Sequence, residues 1–258
     1  MLRALLERGL CPDVIVGTSI GAINGAAIAA QPDAAGVERL TDLWLDVEAS
    51  GVFSGSLIQR VSTLARTRTH LHTNSILRGL LEKHLVARRI EELPVHFECV
   101  AASIERAAEH WFTQGPLVDA VLASSAVPGL LPPVRIGQEH FIDGGIVNSI
   151  PVSRAVALRA QTVYVCHVGR IDRRLAVPRR PFEVGLVAFE IARRHRFHAD
   201  MAELPDDVEV HVLPTGDRDP PRYDTLATLR YRNFTHAVHR IDAAYHATAR
   251  YLARRERA

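Results

Sequence analysis

Lysine is almost absent: Lys83 is the only one among 31 basic residues, so nearly every positive charge is an arginine. With 29 acidic residues the formal charge is +2, and so one-sided an arginine usage reads as compositional bias rather than as a nucleic-acid surface. Cysteine is scarce too. Cys11, Cys99 and Cys166 are odd in number and two of them lie in apolar runs, which excludes a disulfide framework and fits buried thiols in a reducing, cytoplasmic compartment. A long hydrophobic run is also missing. Residues 14–32 carry no charge, but three glycines with Thr18, Ser19, Asn24 and Gln31 make them too polar and too small for a membrane span. Glu7 and Arg8 interrupt the leucines near the N-terminus, and no small-residue cleavage site follows, so no export signal is read. What remains is ordinary globular composition, 47% apolar and 23% charged over 258 residues.

Strand-like and helix-like segments alternate along the chain. Leu2, Leu5, Leu6 and Leu10 share a helical face that Gly9 and Pro12 bring to a stop. Residues 13–16 read as a short buried strand, 17–21 as a turn, and 22–30 as a helix of small residues able to lie close against a sheet. Asp33 and Asn74 are expected to cap two amphipathic helices, with a mobile surface segment at 50–73 between them. Strands are expected at 95–102, 109–113, 139–142, 162–168 and 208–213, with helices at 117–123, at about 231–254, and one that Asn148 or Ser149 caps with Pro151 in its first turn. The alternation predicts an α/β fold, a mostly parallel or mixed sheet covered on both faces, with chemistry at the carboxyl ends of its strands.

Gly17-Thr18-Ser19-Ile20-Gly21 matches G-x-S-x-G and sits where that pattern has a mechanical meaning, between a strand and a helix. A serine on so sharp a turn needs small neighbours at Gly17 and Gly21, and the start of the helix offers unpaired N–H groups to a developing oxyanion. The competing reading is a serine that merely caps the helix. For a base, His167 at the end of a strand is the best-placed histidine for a triad, while His236, His239 and His246 lack zinc-site spacing. Asp143 is a better candidate, because it ends a strand and is followed by Gly144 and Gly145, which let backbone approach closely. A nucleotide-phosphate loop at 17–25 is excluded, since neither G-x-G-x-x-G nor G-x-x-x-x-G-K-[ST] is present.

The segments PDVIVGTSIGAINGA, ASSAVPGLLPPV and FIDGGIVNSIPV, spread over residues 1–170, closely resemble the patatin-like phospholipase family. The resemblance implies a three-layer α/β/α fold and a lipid acyl hydrolase with a Ser-Asp dyad: Ser19 as nucleophile, Asp143 as base, no third residue, no cofactor and no metal. It implies one patatin-like domain over 1–258, of which 171–258 is not diagnostic. A dyad aspartate must take the serine proton directly, so partial burial is expected to raise its basicity. Family members carry a first strand and a glycine-rich oxyanion loop ahead of the helix that opens this chain, so the resemblance implies an N-terminally truncated domain. The alternative function is a catalytically impaired lipid-binding or interaction protein. The expected partner is an acyl lipid or ester, and the arginine-rich 170–196 region, with Arg170, Arg173, Arg174, Arg179, Arg180, Arg193, Arg194 and Arg196, is a candidate peripheral contact with anionic headgroups.

Overall fold

The computed structural model describes residues 1–50, 73–167, 171, 174–216 and 235–256. They form two compact units, Pro12–Pro151 and Met1–Cys11 with Val152–Ala258. Of the stretch read as a mobile surface segment, residues 51–72 lie outside the described residues.

In the Pro12–Pro151 unit the strand read at 13–16 is β1, Val14–Thr18, and it runs straight into helix α2, Ile20–Ala30. Ala22, Ile23, Ala26, Ala27, Ile28 and Ala29 are all buried. The helix comes close to the sheet because Gly25 has no side chain. A Cβ there would lie 2.8 Å from Ile15 Cγ2 and 3.1 Å from a Phe97 ring carbon, nearer than side chains pack. Asp33 caps α3, Ala34–Ser50, by accepting the Gly36 N–H at 2.9 Å. Asn74 precedes α4, Ser75–His84, but makes no side-chain cap, because it already has helical dihedrals and an N-cap needs extended ones.

Strand β2, His96–Ser103, is the spine of a mixed five-stranded sheet. β1 runs parallel to its first half, from Val14 opposite His96 to Thr18 opposite Val100. β3, Ala108–Phe112, runs antiparallel along residues 99–103. β5, Glu139–Asp143, runs antiparallel along 101–103 and carries the three-residue β4, Val134–Ile136. Since a strand has two edges and β3 holds one of them, β5 lies on the same edge as β1, end to end with it. Thr18 and Asp143 therefore face the consecutive residues Val100 and Ala101. Helix α5, Leu117–Ser124, buries Leu117, Val121 and Leu122. Phe97, Leu43, Leu77 and Leu81 are among the largest wholly buried side chains of the unit, each contributing about 2 to 3 kcal/mol by leaving water.

The second unit joins α1, Leu2–Leu6, to α6, Val152–Ala157, the parallel pair β6, Thr162–Val165, and β7, Glu209–Val212, and two long helices, α7, Pro181–Ala202, and α8, Thr235–Arg255. Ala4, Leu5, Leu213 and Leu252 form its apolar centre, with Tyr164, Tyr245 and Tyr251 packed around them. The sheet is thus of the mixed kind, and the fold is α/β as read. Among the thiols only Cys99 is buried; Cys11 and Cys166 are exposed, and no disulfide joins them. Cys166 is the residue after β6 ends at Val165, beyond the strand's pairing with β7. No helix among the described residues is long and apolar enough to cross a membrane.

Candidate active site

Ser19 occupies the single residue between β1 and α2, with φ 56° and ψ −122°. A side chain in that region is strained by about 1 to 3 kcal/mol and persists only where its surroundings hold it. Gly17 makes the turn possible. A Cβ on it would sit 2.6 Å from the Gly21 carbonyl oxygen and 2.7 Å from Ala22 Cα, backbone atoms that cannot step aside. Gly21 corrects the expectation that both flanking glycines are needed sterically: it is exposed, its φ is not positive, and a Cβ there meets open space. At the second position of α2 its outer face turns away from the sheet. Ser19 stands at the N-cap position yet caps nothing. Its hydroxyl instead donates to Asp143 Oδ2 at 2.5 Å.

Asp143 is the last residue of β5 and is 1% exposed. Its Oδ1 accepts the Gly145 N–H at 2.7 Å, which fixes the carboxylate plane and leaves Oδ2 toward the serine. Gly144 is compelled by the approach of this turn to β2: a Cβ there would lie 2.2 Å from the Val100 carbonyl oxygen. The turn is tied back to β1 as well. Thr18 Oγ1 donates to the Asn148 carbonyl at 2.8 Å, and the Asn148 N–H reaches the Gly144 carbonyl at 2.8 Å. Asn148 Nδ2 approaches Glu109 Oε2 at 3.4 Å, while its buried Oδ1 has no partner among the described residues. The Ser19 N–H donates to Ser124 Oγ at 2.9 Å, and Ser125 Oγ donates to the Ser19 carbonyl at 3.1 Å. Ala22 and Ile23 also donate to that carbonyl. Among the described residues, the N–H groups of Ile20 and Gly21 have no acceptor.

A family model for patatin-like phospholipases matches residues 1–156, which include the serine turn, the Ser-Ser segment and the Asp-Gly-Gly turn. The chain belongs to the patatin-like phospholipase family. Similar proteins include a patatin-like phospholipase domain-containing protein, ZK370.4, of Caenorhabditis elegans, 30% identical over 176 residues, 67% of this chain and 12% of that protein. Lysophospholipase NTE1 of Mycosarcoma maydis is 27% identical over 180 residues, 67% of this chain and 9% of that protein. Patatin-like phospholipase domain-containing protein 7 of Rattus norvegicus is 28% identical over 174 residues, 67% and 12% respectively. The match thus spans roughly a tenth of each relative's length.

In this patatin-like chain the two motif residues singled out by sequence, Ser19 and Asp143, come together although they stand 124 positions apart. His167, the triad candidate, follows β6 in the other unit, and the serine hydroxyl goes to the carboxylate with no imidazole between them. Cys99, opposite Gly17 on β2, is no rival nucleophile: burial first, and the Glu98 carboxylate next, push its thiol pKa far up. Among the described residues no cluster of His, Cys, Asp or Glu could hold a metal ion. Sequence reasoning missed Thr18, Ser124 and Ser125, and read Asn148 only as a helix-cap candidate. All four lie inside the motif segments, but the bonds that tie them to this site span more than 100 residues of sequence.

Proposed function

We propose that the chain is a serine hydrolase of acyl-lipid esters that works through a Ser19–Asp143 dyad. The observation that supports it most is the 2.5 Å contact from the hydroxyl of a strained, non-capping Ser19 to a buried carboxylate. Ser19 Oγ attacks the ester carbonyl carbon as its proton passes to Asp143 Oδ2. The tetrahedral intermediate collapses, and the leaving alcohol takes that proton, leaving an acyl-serine. Water then attacks the acyl-serine, Asp143 accepts its proton, and the carboxylic acid departs as the proton returns to Ser19. Ile20 and Gly21, the first two N–H groups of α2, are the candidate oxyanion donors at the positive end of the helix dipole. The names of the relatives, lysophospholipase among them, favour a phospholipid or lysophospholipid substrate.

The arginine-rich region supports a narrower membrane contact than the one read from sequence. Arg170 and Arg173 lie outside the described residues. Arg193 and Arg194 each stand 3.3 Å from the buried Glu190, and Arg196 stands 2.8 Å from Asp200, so these three balance charge within their own unit. Arg174, Arg179 and Arg180 are exposed, next to an 84% exposed Val177. That short basic and apolar stretch is the candidate contact with anionic headgroups.

Labelling with a fluorophosphonate, together with turnover of a short-chain chromogenic ester and of lysophospholipid, tests the reading. Ser19→Ala is expected to abolish labelling and turnover, and Asp143→Asn to remove at least about 100-fold of kcat/KM, since the amide keeps the shape but cannot take the proton. A folded Ser19→Ala protein that still hydrolyses the ester refutes it. A wild-type protein that binds lipid but neither labels nor turns over supports the non-catalytic alternative.

A further inference from the structure

The Ser-Ser-Ala segment at 124–126 has no part in the chemistry proposed above, yet it touches both halves of it. Ser124, the last residue of α5, is 0% exposed among the buried Val121, Leu122 and Ala123. A hydroxyl in such a place is costly unless it is bonded, and alanine would suit the helix better. Its bond is to the Ser19 N–H, at 2.9 Å. The next residue, Ser125, is 6% exposed, and its hydroxyl takes the carbonyl of the same Ser19, at 3.1 Å. The residue after that, Ala126, offers its carbonyl to the Asp143 N–H at 2.9 Å.

We infer that Ser124-Ser125-Ala126 is a positioning template: its two hydroxyls clamp the backbone of Ser19 in the left-handed turn, while its third residue holds the backbone of Asp143. The inference rests on the reading of Ser19 and Asp143 as nucleophile and base. The clamp acts on the Ser19 peptide groups, so it sets where Oγ stands without touching the hydroxyl. A left-handed Ser19 freed from it has ordinary right-handed and extended conformations to fall into, and each carries Oγ away from Asp143 Oδ2. Ser124 also engages the Ser19 N–H itself, which assigns oxyanion donation to the groups that follow it rather than to the nucleophile's own amide.

The test is Ser124→Ala, Ser125→Ala and Ser125→Thr in the full chain, each read by kcat and KM on the chromogenic ester, by thermal unfolding, and by hydrogen exchange of the Ser19 amide. Both alanine variants are expected to lose about 10- to 100-fold in kcat, the scale of a displaced reacting group. KM stays within about threefold, because ground-state binding is not what is lost. Ser125→Thr, which keeps the hydroxyl, recovers most of kcat. In Ser124→Ala the Ser19 amide exchanges about tenfold faster while the β2 amides keep their protection. Wild-type kcat in both alanine variants, or a loss accounted for by the unfolded fraction, overturns the inference. So does a Ser19 amide that exchanges at the wild-type rate in Ser124→Ala, and this readout holds even if the wild-type protein proves inactive. Activity that survives Ser19→Ala refutes the dyad instead, whatever the serine pair does.

Discussion

Two glycines of the motifs invite the same substitution and are expected to answer it oppositely. In Gly144→Ala the added carbon would start 2.2 Å from the Val100 carbonyl oxygen, 2.7 Å from its carbonyl carbon and 2.9 Å from Val100 Cγ1. Ordinary contact begins at 3.4 Å, so the turn or the strand must yield by roughly 1.2 Å, and dispersion contacts turn to repulsion well inside that distance. Two of the three atoms are backbone of β2, paired on both edges, so the turn moves. Overpacking of this kind costs about 1 to 3 kcal/mol, or roughly 1 M in the urea midpoint for a slope near 2 kcal/mol/M. Asp143, the proposed base, immediately precedes Gly144, and a shift of about 1 Å in a reacting group is worth about 100-fold in rate. In Gly21→Ala nothing lies within 4 Å of the new carbon, and alanine in a helix is favoured over glycine by about 0.5 to 1 kcal/mol. Urea unfolding followed by circular dichroism, with kcat on the chromogenic ester, reads both effects. Gly144→Ala with wild-type midpoint and kcat, or Gly21→Ala as damaging as Gly144→Ala, would refute the reasoning.

Thr18→Val keeps the shape of an 8% exposed side chain but strips the donor from the Asn148 carbonyl. It is expected to cost about 1 to 3 kcal/mol, measured by urea unfolding, with Thr18→Ser recovering most of it. His167→Ala is expected to leave kcat within about threefold; a folded but inactive variant, seen in the same ester assay, would restore the triad. Glu91 is held down to about 2 from its ordinary 4.5 by its own backbone N–H, by the Gly115 N–H at 2.8 Å and by Arg89. A lowered carboxylate pKa stabilises the fold above the unfolded value and loses that contribution as the pH falls through the folded one. The stability deficit of Glu91→Gln is therefore expected to be full at pH 7 and to shrink between about pH 4.5 and about pH 2, in thermal melts across that range.

Ser19 and Asp143 were legible because each stands at a punctuation mark: a glycine-flanked turn after an apolar strand, and an Asp-Gly-Gly at a strand's end. What surrounds them was not, since Ser124 and Ser125 read as turn residues until β2 brings α5 beside β1. Helix α7 is hidden in the sequence for a related reason. Its arginines look like a solvated face, whereas Glu190 is 2% exposed between Arg193 and Arg194, a polar group buried where periodicity counts only apolar ones. Gly21 failed in the other direction. A motif glycine carried the same letter as Gly17 without the same neighbours, and only the positions of backbone atoms distinguish them.

Because β1 and β5 lie head to head on one edge of β2, the spacing of the Ser19 and Asp143 motifs is measured out by a single peptide step, from Val100 to Ala101. Outside β2 and Ser124–Ala126, the connections between the two motifs are free of that duty. Insertions in connections that leave β2 in register are therefore open to evolution or engineering without retuning the site. A one-residue slip in β2 is another matter. It would reverse the faces to which Val100 and Ala101 point and part both motifs from their seats at once, so the most exacting stretch of this molecule for substitution is a strand that supplies neither Ser19 nor Asp143.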